Sequence, residues 1–268
     1  MNFWASLLAM AVVAYGLLTS WAYFSSDRLI FHPEYGAVTQ PKAAIKIPVP
    51  GSEPLTAVYL PNPTAQHTIW FFHGNAESLG DVEPWLREMH ANGYAVFAVE
   101  YPGYGLSPGK PTEDSIYAAN EVALVYLQQQ LGVPNERIIL LGRSLGGGPA
   151  VELAAHHAVA GLVLQSTFTT AFRVMTRWPI VPFDKFDNIG KLPLIRCPVL
   201  VMHGGDDRVV PFHHGESLFQ AVKGPKEKFW IKLAGHNDFL QWAGPEYWVV
   251  LHQFTDHLDQ VVRPKSVG

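Results

Sequence analysis

A serine hydroxyl becomes a useful nucleophile only when a base takes its proton and a third group holds that base. One serine of this chain stands where such treatment is expected. Ser144 lies in Gly142-Arg143-Ser144-Leu145-Gly146, with Gly147 and Gly148 directly after it. An apolar run, Arg137 to Leu141, precedes it, and a helix-like run of small residues follows. Strand, G-x-S-x-G, helix is the pattern of a nucleophile elbow, which lifts the serine Oγ to the carboxyl end of a strand. The glycines matter because the backbone folds back on itself and a Cβ would clash. The five-residue motif recurs by chance, so its weight comes from context and from partners further along.

In a site of this kind the chain order is serine, acid, histidine. The acid should follow a late strand. After the apolar run Val199 to Met202 comes His203-Gly204-Gly205-Asp206-Asp207-Arg208-Val209-Val210-Pro211, and position alone leaves Asp206 and Asp207 both open. The base should follow the last strand, and Lys228 to Leu233 leads into Ala234-Gly235-His236-Asn237-Asp238. With 12 histidines in the chain, His236 is distinguished only by this placement. His203 reads as shaping the acid loop, His213 and His214 as solvated residues at a helix start, and Asp238 as fastening its own loop. His32, His67, His90, His156, His157, His252 and His257 read as surface or packing residues. The negative charge of a tetrahedral intermediate needs backbone N–H donors. One is expected from Leu145, the residue after the nucleophile. The other is expected from the loop after the first central strand, His73-Gly74-Asn75-Ala76-Glu77, with the amide of Asn75 as the candidate.

These groups need a scaffold, and the hydrophobic pattern supplies one. Ala43 to Pro48 and Leu55 to Tyr59, around Gly51-Ser52-Glu53-Pro54, read as an antiparallel hairpin at a sheet edge. His67 to Phe72 and Tyr94 to Val99 are nearly continuous apolar runs, as central strands are. Leu79 to Asn92 reads as a helix capped by Ser78, with Asp81 completing a loose capping box. Glu113 to Gln130 places Ile116, Ala119, Val122, Ala123, Tyr126 and Leu127 on one face and ends at Gly132-Val133-Pro134. A small-residue helix is expected over 147–157, strands over 160–165 and 198–202, and helices over 212–222 and 246–262. The polar tail from Arg263 reads as mobile. Alternating strands and helices with short links predict a mostly parallel sheet covered on both faces. Thr167 to Arg196 breaks the rhythm. It reads as a packed helical connection, as a small apolar cap above the elbow, or as both.

The chain has 268 residues, a hydrophobic fraction of 48% and a formal net charge of -4. This suits one α/β domain with a core large enough to need no disulfide. Its one cysteine, Cys197, has no partner for an internal bridge and reads as a buried strand residue. Neither a metal centre nor an organic cofactor is expected, and the absence of basic blocks argues against nucleic acid. Phe3 to Phe24 carries no charge. As a helix it would rise roughly 33 Å, against a hydrocarbon core of about 30 Å. Trp4 lies near one end, and Trp21 with Tyr23 near the other, as interfacial aromatics do. A signal peptide would want a basic start and a cleavage site after the apolar run; an amphipathic docking helix would want a polar face. The expectation is a retained membrane anchor over residues 1–26 and a single domain over 27–268. Lys42 and Lys46 beyond the run lean weakly toward a cytoplasmic domain.

Taken together, Phe72-His73-Gly74-Asn75-Ala76-Glu77, Tyr101-Pro102-Gly103-Tyr104-Gly105-Leu106-Ser107, the Ser144 elbow, His203-Gly204 with Asp207 and Val210-Pro211, and Gly235-His236-Asn237-Asp238 resemble an α/β-hydrolase. Within that superfamily the chain is similar to the membrane-associated serine hydrolases named alpha/beta-hydrolase domain-containing proteins. Phe31-x-Pro33 after an N-terminal hydrophobic helix is also like this group. The resemblance implies an α/β-hydrolase fold preceded by that helix. It selects Asp207, four residues after the histidine of His-Gly, as the acid, with Ser144 as nucleophile and His236 as base. It implies hydrolysis of esters or thioesters of lipidic or acylated substrates. A short-acyl carboxylesterase, a peptidase resembling prolyl oligopeptidase and a non-catalytic membrane-anchored scaffold stand as alternatives.

Overall fold

Strands that are apolar on both faces are stable only if both faces are covered, and the strand Thr68–Phe72 shows how this is met. Ile69 and Phe71 join the apolar cluster on one side of the sheet, and Trp70 and Phe72 join the cluster on the other. The computed structural model describes residues 3–176 and 178–262, so the tail from Arg263 lies outside the described residues. Helix α1 (Phe3–Ile30) precedes the hairpin β1 (Ala44–Ile47) and β2 (Leu55–Leu60). Then β3 (Thr68–Phe72), α2 (Leu79–Ala91), β4 (Ala95–Val99), α3 (Glu113–Gln129), β5 (Ile138–Arg143), α4 (Gly147–His156) and β6 (Gly161–Gln165) alternate. Two short helices, α5 (Ala171–Met175) and α6 (Asn188–Lys191), lie in the irregular stretch. The chain continues through β7 (Val199–Gly204), α7 (His213–Ala221), β8 (Lys226–Ile231), α8 (Phe239–Ala243) and α9 (Glu246–Val262).

Among the described residues the strands form one eight-stranded sheet in the order β1-β2-β4-β3-β5-β6-β7-β8. The edge hairpin and the β2–β4 pair are antiparallel, and the remaining pairs are parallel. This is the mostly parallel, doubly covered sheet that the alternation implies. Helices α2 and α9 cover one face, with Leu86, Met89, Leu251 and Phe254 buried there. Helices α3 and α4 cover the other, with Ile116, Ala123, Ala150 and Val151. The capping box at α2 forms in full: Ser78 Oγ accepts from the Asp81 amide at 3.4 Å, and Asp81 Oδ2 accepts from the Ser78 amide at 2.9 Å.

The site follows from the strand order. From β3 the chain crosses to β4 on one side, then returns to β5 on the other side of β3. The loops leaving the carboxyl ends of β3 and β5 therefore part from each other and open a crevice, the usual ligand position in such sheets.

Three expectations need correction. The last strand begins at Lys226 and ends at Ile231, two residues earlier than the apolar pattern suggests. Cys197 stops short of β7 and is half-buried; burial pushes its thiol up to about 12. His214 is buried, not solvated, because the first turn of α7 packs beneath the chain at Thr169, whose amide and hydroxyl both donate to His214 Nδ1 at 3.2 and 3.1 Å. His213 beside it is exposed, as expected.

Helix α1 is long and apolar enough to cross a membrane, with a mean hydropathy of 1.7 in its most apolar window. It runs without interruption through residue 26 to Ile30. Phe31 then drops into the core, where its ring meets Phe186 edge-on at 5.9 Å.

Candidate active site

Ser144 occupies the tight turn between β5 and α4 with a φ of +52°, a left-handed conformation that costs a non-glycine residue of order 1–3 kcal/mol. The glycines around it allow the turn. A Cβ on Gly142 would strike the carbonyl of Gly146, and one on Gly146 would strike the carbonyl of Phe72. Thr167 holds the turn from outside by donating its hydroxyl to the Ser144 carbonyl at 2.6 Å.

His236 arrives from the loop after β8, three strand positions from β5. That loop must lean back over roughly 14 Å of sheet, and its own contacts stiffen it. Asp238 accepts from the Gly235 amide at 2.6 Å and from the Trp242 indole at 3.2 Å. His236 Nε2 lies 2.9 Å from Ser144 Oγ, and Nδ1 lies 2.8 Å from Asp207 Oδ2. With Nδ1–H donating to the carboxylate, Nε2 is free to accept from the serine hydroxyl.

Asp207 has a fully buried side chain. Its Oδ1 accepts from the Val209 and Val210 amides at 2.9 and 2.8 Å, which leaves Oδ2 for the imidazole. His203 shapes the same loop by hydrogen bonding through Nε2 to the Val210 carbonyl at 2.8 Å. Burial first, with His236 and His213 nearby, holds the His203 pKa below its ordinary value. Asp206 points outward and pairs with exposed Arg208 at 3.3 Å. Of the two aspartates that position alone left open, only Asp207 meets the imidazole.

Asn75 and Leu145 line one cavity with Ser144. Leu145 is the second residue of the 3-10 turn Ser144–Gly146, so its amide is among the helix-start donors that have no partner within the helix. Asn75 does more with its side chain than its sequence position suggests. Oδ1 accepts from the Tyr104 hydroxyl at 2.6 Å, the His32 amide at 3.0 Å and the Ala76 amide at 3.1 Å. Nδ2 donates to the Ile30 carbonyl at 2.6 Å. The loop that carries the Asn75 amide is thus clasped to the end of α1.

Two further links escaped the sequence reading. Arg143, the residue before the elbow serine, pairs with Glu77 of the Asn75 loop, and Glu77 Oε2 also accepts from the Gly74 amide at 2.9 Å. One acidic and one basic residue, each the lone Asp, Glu, Lys or Arg of its motif, were the available signal. Behind them His73 Nε2 lies 3.0 Å from Glu100 Oε1, both side chains buried, while Glu100 Oε2 accepts from the Leu79 amide at 2.9 Å. Only a buried position for Glu100, which the sequence does not announce, makes that pair visible.

The cavity has a volume of about 640 Å³ and a mainly apolar wall. Phe168, Phe172, Val174, Ile180 and Val181 contribute from the irregular stretch together with Arg173, which pairs with Asp184 at 3.3 Å, and among the described residues no carboxylate lines the cavity. His32, read as a surface or packing residue, lines it as well. Among the described residues no group of three or more His, Cys, Asp or Glu side chains stands close enough to hold a metal ion.

Residues 63–186 match the family model described as serine aminopeptidase, S33. The chain is 41% identical over 185 residues to the alpha/beta hydrolase domain-containing protein aho-3 of Caenorhabditis elegans, an alignment covering 66% of this chain and 54% of that protein. It is 39% identical over 182 residues to human alpha/beta hydrolase domain-containing protein 17B, covering 66% of this chain and 62% of the relative. Both relatives are longer than the stretch they share with this chain. Among solved structures, an esterase of Pyrococcus furiosus superposes with a TM-score of 0.68 at 18% identity, over 80% of this chain and 91% of the esterase.

Proposed function

This chain belongs to the α/β-hydrolase superfamily, and on that premise we propose that it is a membrane-anchored serine hydrolase cleaving carboxylic esters or thioesters of lipidic or acylated substrates. One observation carries the reading: Asp207, His236 and Ser144 form a continuous hydrogen-bonded chain that ends in an apolar cavity. Residues 1–26 would anchor it, with 27–268 as the hydrolase domain and 167–196 as a small cap. Lys42 and Lys46 beyond the helix favour a cytoplasmic domain.

Ser144 Oγ attacks the acyl carbonyl as His236 Nε2 takes its proton. Asp207 keeps the imidazole in the Nδ1–H tautomer and stabilises the imidazolium. The Leu145 and Asn75 amides receive the oxyanion. The alcohol or thiol departs with the proton held by His236, leaving an acyl-Ser144 ester. Water, deprotonated by His236, cleaves that ester and restores the serine.

The family model bears the name of an aminopeptidase, which makes a peptide substrate the competing reading. Such a substrate presents an α-ammonium, and a buried ammonium needs a carboxylate. Among the described residues the cavity lining offers none and includes the cation Arg173, which favours an acyl group without an ammonium.

The test is fluorophosphonate labelling and p-nitrophenyl ester hydrolysis by the detergent-solubilised full chain, alongside Ser144→Ala and an aminoacyl p-nitroanilide. We expect labelling and ester turnover, both lost in Ser144→Ala. Turnover of the anilide in preference to esters, or no serine-dependent turnover at all, would overturn the proposal.

A further inference from the structure

We propose that α1 is one wall of the acyl-binding channel as well as an anchor, and that long-chain acyl esters dissolved in the bilayer reach Ser144 sideways along it. The proposal rests on the hydrolase reading above. It begins with a coincidence of position. Leu18, Trp21, Ala22, Ser26, Leu29 and Ile30 of α1 line the same cavity as Ser144. They recur at three- and four-residue steps, so they form one stripe of the helix. Leu18, Trp21 and Ala22 also belong to the uncharged run Phe3 to Phe24. A span of about 20 residues crosses the hydrocarbon, so the last turns of that span are the ones that face the cavity. The mouth of the cavity therefore lies at the level of the bilayer.

The helix is held in this place by specific contacts. Lys185 reaches Asp27 at 2.6 Å, and the rings of Tyr23 and Phe183 meet edge-on at 5.6 Å. Ser26 is buried, and Asn75 ties down the Ile30 carbonyl at 2.6 Å. A flexible tether would show none of this. Opposite α1, Met175 and Ile180 of the cap-like stretch line the cavity while remaining 86% and 51% exposed. In water such exposure is unfavourable; against lipid it carries no penalty. Helix and cap thus form two largely apolar banks of a channel, with Arg173 of the cap paired to Asp184 at 3.3 Å, open toward hydrocarbon and closed at its inner end by Ser144 and the two amides. An acyl chain is the ligand that matches this shape, because it is apolar along its length and polar only at the reacting carbonyl.

The experiment uses the full chain in mixed micelles and p-nitrophenyl esters from acetate to palmitate. In the native protein kcat/KM should rise about fourfold per methylene until the channel is filled. Ala22→Trp puts an indole in the channel, and the laurate-to-acetate ratio of kcat/KM should fall at least tenfold. Ser20→Trp adds the same bulk on the opposite face of α1 and should keep the native ratio. Trp21→Ala widens the channel and should move the optimum to longer chains; it serves as the second arm if Ala22→Trp does not fold. In phosphatidylcholine proteoliposomes, rates should follow the mole fraction of ester in the bilayer. A native chain-length profile in both Ala22→Trp and Trp21→Ala would overturn the proposal while leaving the hydrolase reading intact. Rates that follow bulk ester concentration would overturn the sideways route. Absence of any Ser144-dependent ester turnover would overturn both readings.

Discussion

Replacing Asn75 with alanine should separate the oxyanion role proposed for its backbone amide from the clasp its side chain makes, because the substitution keeps the amide and removes the clasp. The side chain makes three contacts to other parts of the chain: Tyr104 hydroxyl at 2.6 Å, His32 amide at 3.0 Å and Ile30 carbonyl at 2.6 Å. Each such bond contributes about 1 kcal/mol net. The groups left behind lie at a partly open cavity edge, where water can replace some of the loss, so the expected destabilisation is about 2–3 kcal/mol. For a domain of this size that corresponds to roughly 4–12 °C of melting temperature. The catalytic effect has a different origin. With the loop freed from α1, the Asn75 amide drifts from the position where the oxyanion forms, and a misplacement of about 1 Å costs on the order of 10²-fold in rate. Because the oxyanion exists only in the transition state and the intermediate, kcat for a short ester should fall while KM changes little. The assay is p-nitrophenyl butyrate hydrolysis together with thermal melting in detergent. Tyr104→Phe removes one of these contacts together with the bond its hydroxyl accepts from the His32 amide at 3.2 Å, and should show a smaller melting shift than Asn75→Ala. An Asn75→Ala protein with kcat within threefold of native would refute the argument that the clasp positions the amide.

Asp207→Asn should lower kcat by about 10⁴-fold, near 5.4 kcal/mol. The carboxamide can still accept from Val209 and Val210 through its oxygen, but it presents an NH₂ to His236 Nδ1 and so favours the tautomer that cannot accept from Ser144. Asp206→Asn, in an exposed residue paired with Arg208, should stay within twofold of native, and equal losses in the two variants would contradict the assignment of Asp207. Stability should fall as the pH drops from 6.5 toward 4. Burial, with His213 and His203 close by, lowers the His214 pKa from 6.5 to about 4, so the unfolded chain takes up this proton first and gains on the native state throughout that window. Above pH 6.5 both forms are neutral and His214 contributes no dependence. Thermal melting at pH 7.5 and 5.0 measures the loss, and His214→Gln should reduce it; an unchanged loss in that variant would mean that other groups carry it.

The architecture was legible in the sequence because it follows from local and nearly local rules. Continuous apolar runs such as Ile69 to Phe72 have to be central strands, and the 3.6-residue pattern of Glu113 to Gln129 has to be a helix with one buried face. Strand, glycine turn and helix around Ser144, with a loop histidine after the last strand, were visible for the same reason: the elbow's steric demands are written in its glycines. What the sequence could not decide was which groups meet across the sheet. Asp206 and Asp207 are equivalent in local pattern, and they are told apart only when the loop after β7 turns one inward to His236 and the other to water. His213 and His214 differ in the same way, since which of two neighbours packs beneath Thr169 depends on where α7 lies. The pairing of Arg143 with Glu77, and the Asn75 side chain holding the end of α1, join residues far apart in the chain. Hydropathy marks Phe3 to Phe24 as apolar without saying what lies beside it. Only the tertiary arrangement puts the stripe of Leu18, Ala22 and Ser26 against the cavity of Ser144, because contact between distant segments is set by the packing of the whole sheet and its covering helices.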